Sequence, residues 1–116
     1  MIFSESLKKN SDFRSVYRSG RSYANKYLVM IVLENNSDRN RLGISVSKKV
    51  GNSVNRHRIT RRLREIYRLH ENIFNSGLDI VVVARTGASS IGYNEMESAL
   101  LHLGKLHHII GEDICN

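Results

Sequence analysis

The chain has 116 residues, 41% of them apolar, which is enough for one hydrophobic core and too little for two. No stretch of about 18 apolar residues is present, the N-terminal MIFSESLKKNSDF lacks the apolar run of a secretory signal, and the single cysteine, Cys115, excludes a disulfide framework. A net charge of +7 on such a chain points to an acidic partner, and the composition leads us to expect one domain over 1–116, in a reducing cytoplasm, with no membrane role and no small-molecule substrate.

Taken in order, Asn10-Ser11-Asp12 supplies cap-type residues before Phe13, Val16 and Tyr17, which share one face of a short helix that Gly20 ends. Ser22 to Ala24 adds a short strand or extension. Tyr27 to Glu34 (YLVMIVLE) is rich in β-branched and large apolar residues and reads as a buried strand. Asn35 to Asn40 is a polar turn, and Arg41 to Ser47 (RLGISVS) alternates, so an antiparallel hairpin is expected between the two strands. A loop follows that ends in Asn52-Ser53. A long helix then runs from about Ser53 to about Asn75, with Ile59, Leu63, Ile66 and Tyr67 as its apolar stripe, extended by Ile73 and Phe74. Gly77 marks its stop. Asp79 to Arg85 (DIVVVAR) reads as a central strand and Thr86 to Gly92 as a small-residue loop. Asn94 to about Ile110 is the last helix, with Met96, Leu100, Leu103 and Leu106 inward. The expected fold is α+β, an α/β sandwich of order α-β-β-β-α-β-α with a four-stranded sheet.

The charge is not spread evenly. Between Lys48 and Arg68 (KKVGNSVNRHRITRRLREIYR) stand eight Lys and Arg against one acid, Glu65, an excess equal to the +7 of the whole chain. At about 100° per residue, Arg58, Arg61, Arg64 and Arg68 project away from the apolar stripe and Arg62 flanks it. Acids are missing from that face, so i,i+4 ion pairs do not account for it. A planar guanidinium offers paired donors to phosphate and sheds water more readily than an ammonium. Lys48 and Lys49, the helix N-terminus and the arginine face therefore form one surface for a polyanion.

The same residues carry a family resemblance. Ser45-Val46-Ser47-Lys48-Lys49-Val50-Gly51-Asn52-Ser53-Val54, followed by Arg56-His57-Arg58-Ile59 and Arg61, resembles the signature of bacterial ribonuclease P protein subunits. The likeness extends from Leu7 to Gly20, through Ala24-Asn25 and Tyr27 to Leu33, to Asp79 to Arg85 and Tyr93-x-Glu95. His57 stands where the family usually has asparagine, and Gly87 lies in a loop where it commonly has proline. The resemblance implies an unusual left-handed crossover made by the arginine helix, as in the second domain of a small-subunit ribosomal protein, contrary to the usual hand. It implies a subunit that does not carry the chemistry: a partner ribonuclease P RNA performs Mg2+-dependent hydrolysis that removes the 5′ leader of precursor tRNA.

Two surfaces are implied with it. Lys48, Lys49, Asn52, Asn55, Arg56, His57, Arg58, Arg61, Arg62 and Arg64 would meet the catalytic RNA. A cleft between the first helix and the sheet, with Phe13, Tyr17, Val29, Ile31, Ser45 and Ser47, would take the single-stranded leader, whose bases can stack on aromatic rings. On the residues alone, core anchoring is the plainer reading of Phe13 and Tyr17; the resemblance implies that at least one of them is partly exposed in a groove, and Arg14, Arg18 and Lys26 are either phosphate partners or solvated charges.

No catalytic residue and no protein-bound metal or cofactor is expected, Mg2+ being required by the holoenzyme. His102, His107 and His108 near Glu112 and Asp113 lack the H-E-x-x-H spacing and read as surface residues. His57 and His70 have no visible nucleophile beside them, and no phosphate-loop spacing occurs. The alternatives are a ribosomal or other structural RNA-binding protein without a processing role, and a DNA-binding protein that lays the arginine helix in the major groove.

Overall fold

The computed structural model describes residues 4–111. One mixed sheet of five strands, ordered β1-β4-β5-β3-β2, separates a short helix on one face from two helices on the other. The strands are β1 (Ser4–Ser6), β2 (Arg21–Ala24), β3 (Leu28–Glu34), β4 (Asn40–Ser45) and β5 (Leu78–Ala84). The helices are α1 (Asn10–Ser19), α2 (Ser53–His70) and α3 (Tyr93–Leu106).

β5 takes the centre because LDIVVVA is apolar on both sides and is buried almost throughout. It pairs antiparallel with β3 and parallel with β4, so the expected β3–β4 hairpin does not form. The polar turn between those strands is instead the clasp for β5. Asn35 N donates to Gly77 O at 2.9 Å, Asn35 Nδ2 to Asp79 Oδ1 at 2.9 Å, and Leu78 N to Asn40 Oδ1 at 2.9 Å. The sheet also has five strands rather than four. The extra one, β1, is a Ser-Glu-Ser segment without apolar alternation, held parallel to β4 and by Ser4 Oγ lying 2.8 Å from the Tyr67 hydroxyl. The connection from β4 through α2 to β5 joins parallel neighbours, as the crossover expectation required.

The larger core lies between the sheet and α2 and α3. Leu28, Met30, Leu42, Ile80 and Val82 meet Ile59, Leu63, Ile66, Tyr67, Met96, Leu100 and Leu103 there. The α2 stripe is thus the expected one, but α2 ends at His70, and Glu71–Ile73 form a short 3-10 helix before the buried Phe74. α3 also stops early, at Leu106, which is exposed. The smaller core, under α1, is built from Leu7, Val16, Ile31 and Val81, with Phe13, Val29, Leu33 and Val83 partly buried around it.

The start of α1 differs from the reading as well. The cap is Lys9, with no side-chain bond, and Asn10 to Asp12 form the first turn. Gly20 does end the helix, in extended rather than left-handed backbone, with φ −78°. What excludes a side chain there is proximity: a Cβ would lie 2.6 Å from the Val16 carbonyl oxygen and 2.8 Å from Ile31 Cγ2.

Candidate nucleic-acid interface

α2 begins at Asn52, whose side-chain oxygen accepts the Asn55 N–H at 2.9 Å, so Asn52 and Asn55 organise the helix start. Val54, Lys48, Lys49, His57, Arg61 and Arg64 around that turn and along the outer face are exposed. The arginines divide into three kinds. Arg61 and Arg64 form no ion pair among the described residues and lie beside Ser6 of β1. Arg68 is half-neutralised by a two-pronged pair with Glu65, at 3.1 and 2.6 Å, which raises the arginine and lowers the glutamate from their ordinary pKa values through that hydrogen bonding. Arg56, Arg58 and Arg62 are half-buried.

The half-buried group corrects the expectation that Arg58 projects clear of the fold. Its Nη2 donates to Ser89 O at 3.5 Å, and Arg62 Nη1 donates to Ile91 O at 3.3 Å, so both brace the segment after β5. The Nε atoms of Arg56 and Arg58 are buried without a hydrogen bond among the described residues, so their stems are packed down while their ends reach the surface. Arg56 lies with His57, Ser53 and Thr60 beside Ile44 and Val46, at the sheet's edge.

On the opposite face, α1 crosses only one end of the sheet. Its Phe13 ring lies directly over Gly43, where a Cβ would fall 2.6 Å from Phe13 Cζ. Tyr17, one turn later, is 47% exposed, and the two ring centres are 6.4 Å apart. Phe13 therefore anchors α1 and also walls the open half of the face, while Tyr17 is free to meet a ligand. The floor beyond them includes Val29 and Val83, both half-buried, and Ser45 in register with Val83. Ile31 is mostly covered by α1, at 8% exposure, and Ser47 is exposed past the end of β4. Ala24, paired with Val29, extends the floor to the sheet's edge.

A charged clamp that the sequence reading did not find closes the other end of this face. Arg41 donates to Asp79 through Nε at 2.8 Å and Nη2 at 2.7 Å, and through Nη1 to Asp12 of α1 at 3.2 Å. Hydrogen bonding to Asp79 raises the Arg41 pKa above its ordinary value. Only the parallel register of β4 on β5 brings Arg41 and Asp79 side by side, and no local pattern announces that pairing.

The histidines separate. His107 is not a surface residue: it is 6% exposed, its Nε2 donates to Met30 O at 2.8 Å, and it meets the Tyr23 ring edge-on at 4.7 Å. Burial pulls its pKa below the ordinary value. His102 and His108 are exposed, and His70 pairs with Glu97 at 3.3 Å between α2 and α3. Glu112, Asp113 and Cys115 lie outside the described residues. Among the described residues no group of three or more His, Cys, Asp or Glu side chains is arranged to hold a metal, and no helix is long and apolar enough to cross a membrane.

Comparison with known proteins agrees with this arrangement. The family model described as Ribonuclease P matches residues 2–107. A ribonuclease P protein component from Lachnoclostridium phytofermentans is 64% identical over 107 residues, covering 92% of this chain and 92% of its own length. One from Alkaliphilus metalliredigens is 54% identical over 97 residues, 84% of this chain and 87% of the relative. Among solved structures, the Staphylococcus aureus RNase P protein superposes with a TM-score of 0.86 at 37% identity, covering 93% of this chain and 99% of that one. The Thermotoga maritima RNase P protein does so with a TM-score of 0.82 at 33% identity, covering 92% and 99%. With an arginine face on one side of its sheet, a half-covered apolar face on the other, and these likenesses over nearly its whole length, the chain belongs to the ribonuclease P protein family.

Proposed function

We propose that this chain is an RNA-holding subunit of ribonuclease P that contributes no reacting group, and that it grips two RNAs on its two faces. On this reading α2 and the Lys48–Lys49 loop bind the ribonuclease P RNA. The face under α1 binds the 5′ leader of precursor tRNA. The partner RNA, with Mg2+, cuts the leader to leave the mature 5′ end. The left-handed sense of the β4–α2–β5 crossover belongs to the same reading.

The observation that carries it is the outward face of α2, where Arg61 and Arg64 stand exposed and form no ion pair among the described residues, the neighbouring Glu65 being taken up by Arg68. Guanidinium groups so disposed fit the closely spaced phosphates of folded RNA. The leader assignment is supported by Tyr17, exposed above a floor of Val29 and Val83, since a single strand presents base faces that stack on rings. The nearby carboxylates Asp12 and Asp79 are both engaged by Arg41, so the magnesium of the holoenzyme is assigned to RNA phosphates rather than to this protein.

The test is precursor tRNA cleavage by the partner RNA at low magnesium, with and without the protein, alongside a Phe13→Ala/Tyr17→Ala variant. We expect the protein to restore cleavage. The variant should bind leader-bearing precursor about tenfold or more weakly, at about 1–3 kcal/mol per stacked base, while its affinity for the ribonuclease P RNA persists. Equal affinity of the unaltered protein for leaderless and leader-bearing tRNA would leave only a structural RNA-binding role.

A further inference from the structure

Beyond the arginine face and the cleft under α1, a third concavity lies on the α2–α3 side of the sheet. It is a mainly apolar groove of about 420 Å³ between the turn at Asn25, Lys26 and Tyr27 and the first turns of α3 at Asn94, Glu95 and Ser98, with Ala99 at its base. We infer that this groove accepts one unpaired, amino-bearing nucleobase of the leader strand after that strand leaves the cleft, an inference that rests on the leader-binding reading above.

The groove is built in advance. Asn25 donates through Nδ2 to the Ala99 carbonyl at 2.9 Å and approaches His102 Nδ1 at 3.2 Å, and its oxygen accepts the Tyr27 and Leu28 N–H groups at 3.1 and 2.9 Å. Arg85 fixes the same turn from below, through its N–H to Tyr27 O at 2.9 Å and Nη1 to Asn25 O at 2.8 Å. The walls therefore need no rearrangement to receive a ligand, which removes an ordering cost.

Its chemistry suits a nucleotide. The half-buried Tyr27 ring gives a flat apolar wall, and the Lys26 ammonium stands 5.6 Å from the ring centre, at the mouth, without a carboxylate partner among the described residues. A base against Tyr27 with its phosphate at Lys26 uses both. Glu95 spends one oxygen on the Gly92 N–H at 3.2 Å and keeps the other to accept a hydrogen bond. A carboxylate there favours a base edge that donates, such as the cytosine or adenine amine, and disfavours uracil, whose corresponding group is a carbonyl. The path is short: Ala24, on the cleft floor beside Val29, is joined directly to Asn25 and Lys26.

The experiment uses the full chain in two arms. Titration with cytidine and uridine monophosphates, followed by backbone amide shifts, should move Tyr27, Ser98 and Ala99, with cytidine binding about tenfold more tightly. Ser98→Trp fills the groove from an exposed position and should leave the melting temperature unchanged. It should weaken leader-bearing precursor about tenfold and leave leaderless tRNA and the ribonuclease P RNA unaffected. Unchanged leader affinity in Ser98→Trp, or equal preference for the two nucleotides, overturns the inference. An equal loss on the ribonuclease P RNA also overturns it, by making that RNA the occupant. Phe13→Ala/Tyr17→Ala separates the two ideas: normal leader affinity there removes the cleft itself, whereas a loss there with none in Ser98→Trp removes only the groove.

Discussion

Asp79 is a carboxylate almost wholly withdrawn from water, and its side chain survives there because Arg41 and Asn35 supply its hydrogen bonds. Removing Arg41 leaves that group dry and uncompensated, which costs more than the pair itself contributes. Arg41 is 34% exposed, so water softens the loss, and Arg41→Ala should destabilise by about 1–3 kcal/mol in urea unfolding. Arg41→Ala combined with Asp79→Asn should recover part of that, and a purely additive double variant would contradict the clamp. His107 makes a second prediction at this scale. Burial, opposed by its bond to Met30 O and aided by Arg21, holds it below the ordinary histidine value of about 6.5. As pH falls through that ordinary value the unfolded chain takes the proton first, so stability present at neutral pH is lost toward the depressed folded pKa. The melting temperature should drop between about pH 7.5 and 5.5, and His107→Gln should flatten that part of the profile, which thermal melts across the range would show.

At the scale of elements, the helices and the central place of DIVVVAR were legible in the sequence, and the neighbours of that strand were not. The α2 stripe of Ile59, Leu63, Ile66 and Tyr67 is a periodic signal carried on one segment, and all four side chains are buried as that period requires. Strand order depends on which distant segment is apolar on both faces, and Asp79 to Ala84 could claim the centre only by displacing a hairpin that local patterning favoured. β1 was invisible because it is held by backbone pairing, one serine hydroxyl and an exposed pair between Glu5 and Arg39, none of which leaves a local pattern. The site divides in the same way. The free arginines followed from spacing, whereas the bracing role of Arg58 and Arg62 depends on where the segment after β5 folds back. Gly43 shows what neither pattern nor composition carries. One small residue in the alternating RLGISVS run, it is the seat of the Phe13 ring and so sets the height of α1 over the sheet. Gly43→Ala should push that ring aside and destabilise by about 1–3 kcal/mol, the usual cost of overpacking. The same change should lower leader-dependent affinity while binding to the ribonuclease P RNA holds. Unchanged stability, measured by denaturant unfolding, would mean the ring has room that the geometry denies it.

For the whole molecule, the excess charge and the fold pull against each other. The +7 of the chain equals the excess between Lys48 and Arg68, and the rest of the protein is balanced, so the self-repulsion of the folded state is concentrated along α2 and its loop. Screening by any salt relieves part of it. An anion that sits between guanidinium groups does more, because a ligand bound only to the folded state adds RT ln(1 + [L]/Kd), about 2.7 kcal/mol at a hundredfold excess over Kd. Sulfate should therefore raise the melting temperature well beyond chloride at matched ionic strength. Arg61→Ala/Arg64→Ala should melt higher than the unaltered protein in dilute buffer, since two mutually repelling exposed charges are gone, and should lose most of the sulfate-specific increment. Its affinity for duplex RNA should also fall less steeply with salt, the log–log slope becoming about 1.8 shallower if each arginine meets one phosphate, taking the B-DNA value of about 0.9 per contact. A variant with the original slope would show that these two arginines face solvent in the complex, and the RNA would then have to be held by Lys48, Lys49 and the half-buried Arg56 and Arg58 at the other end of the helix.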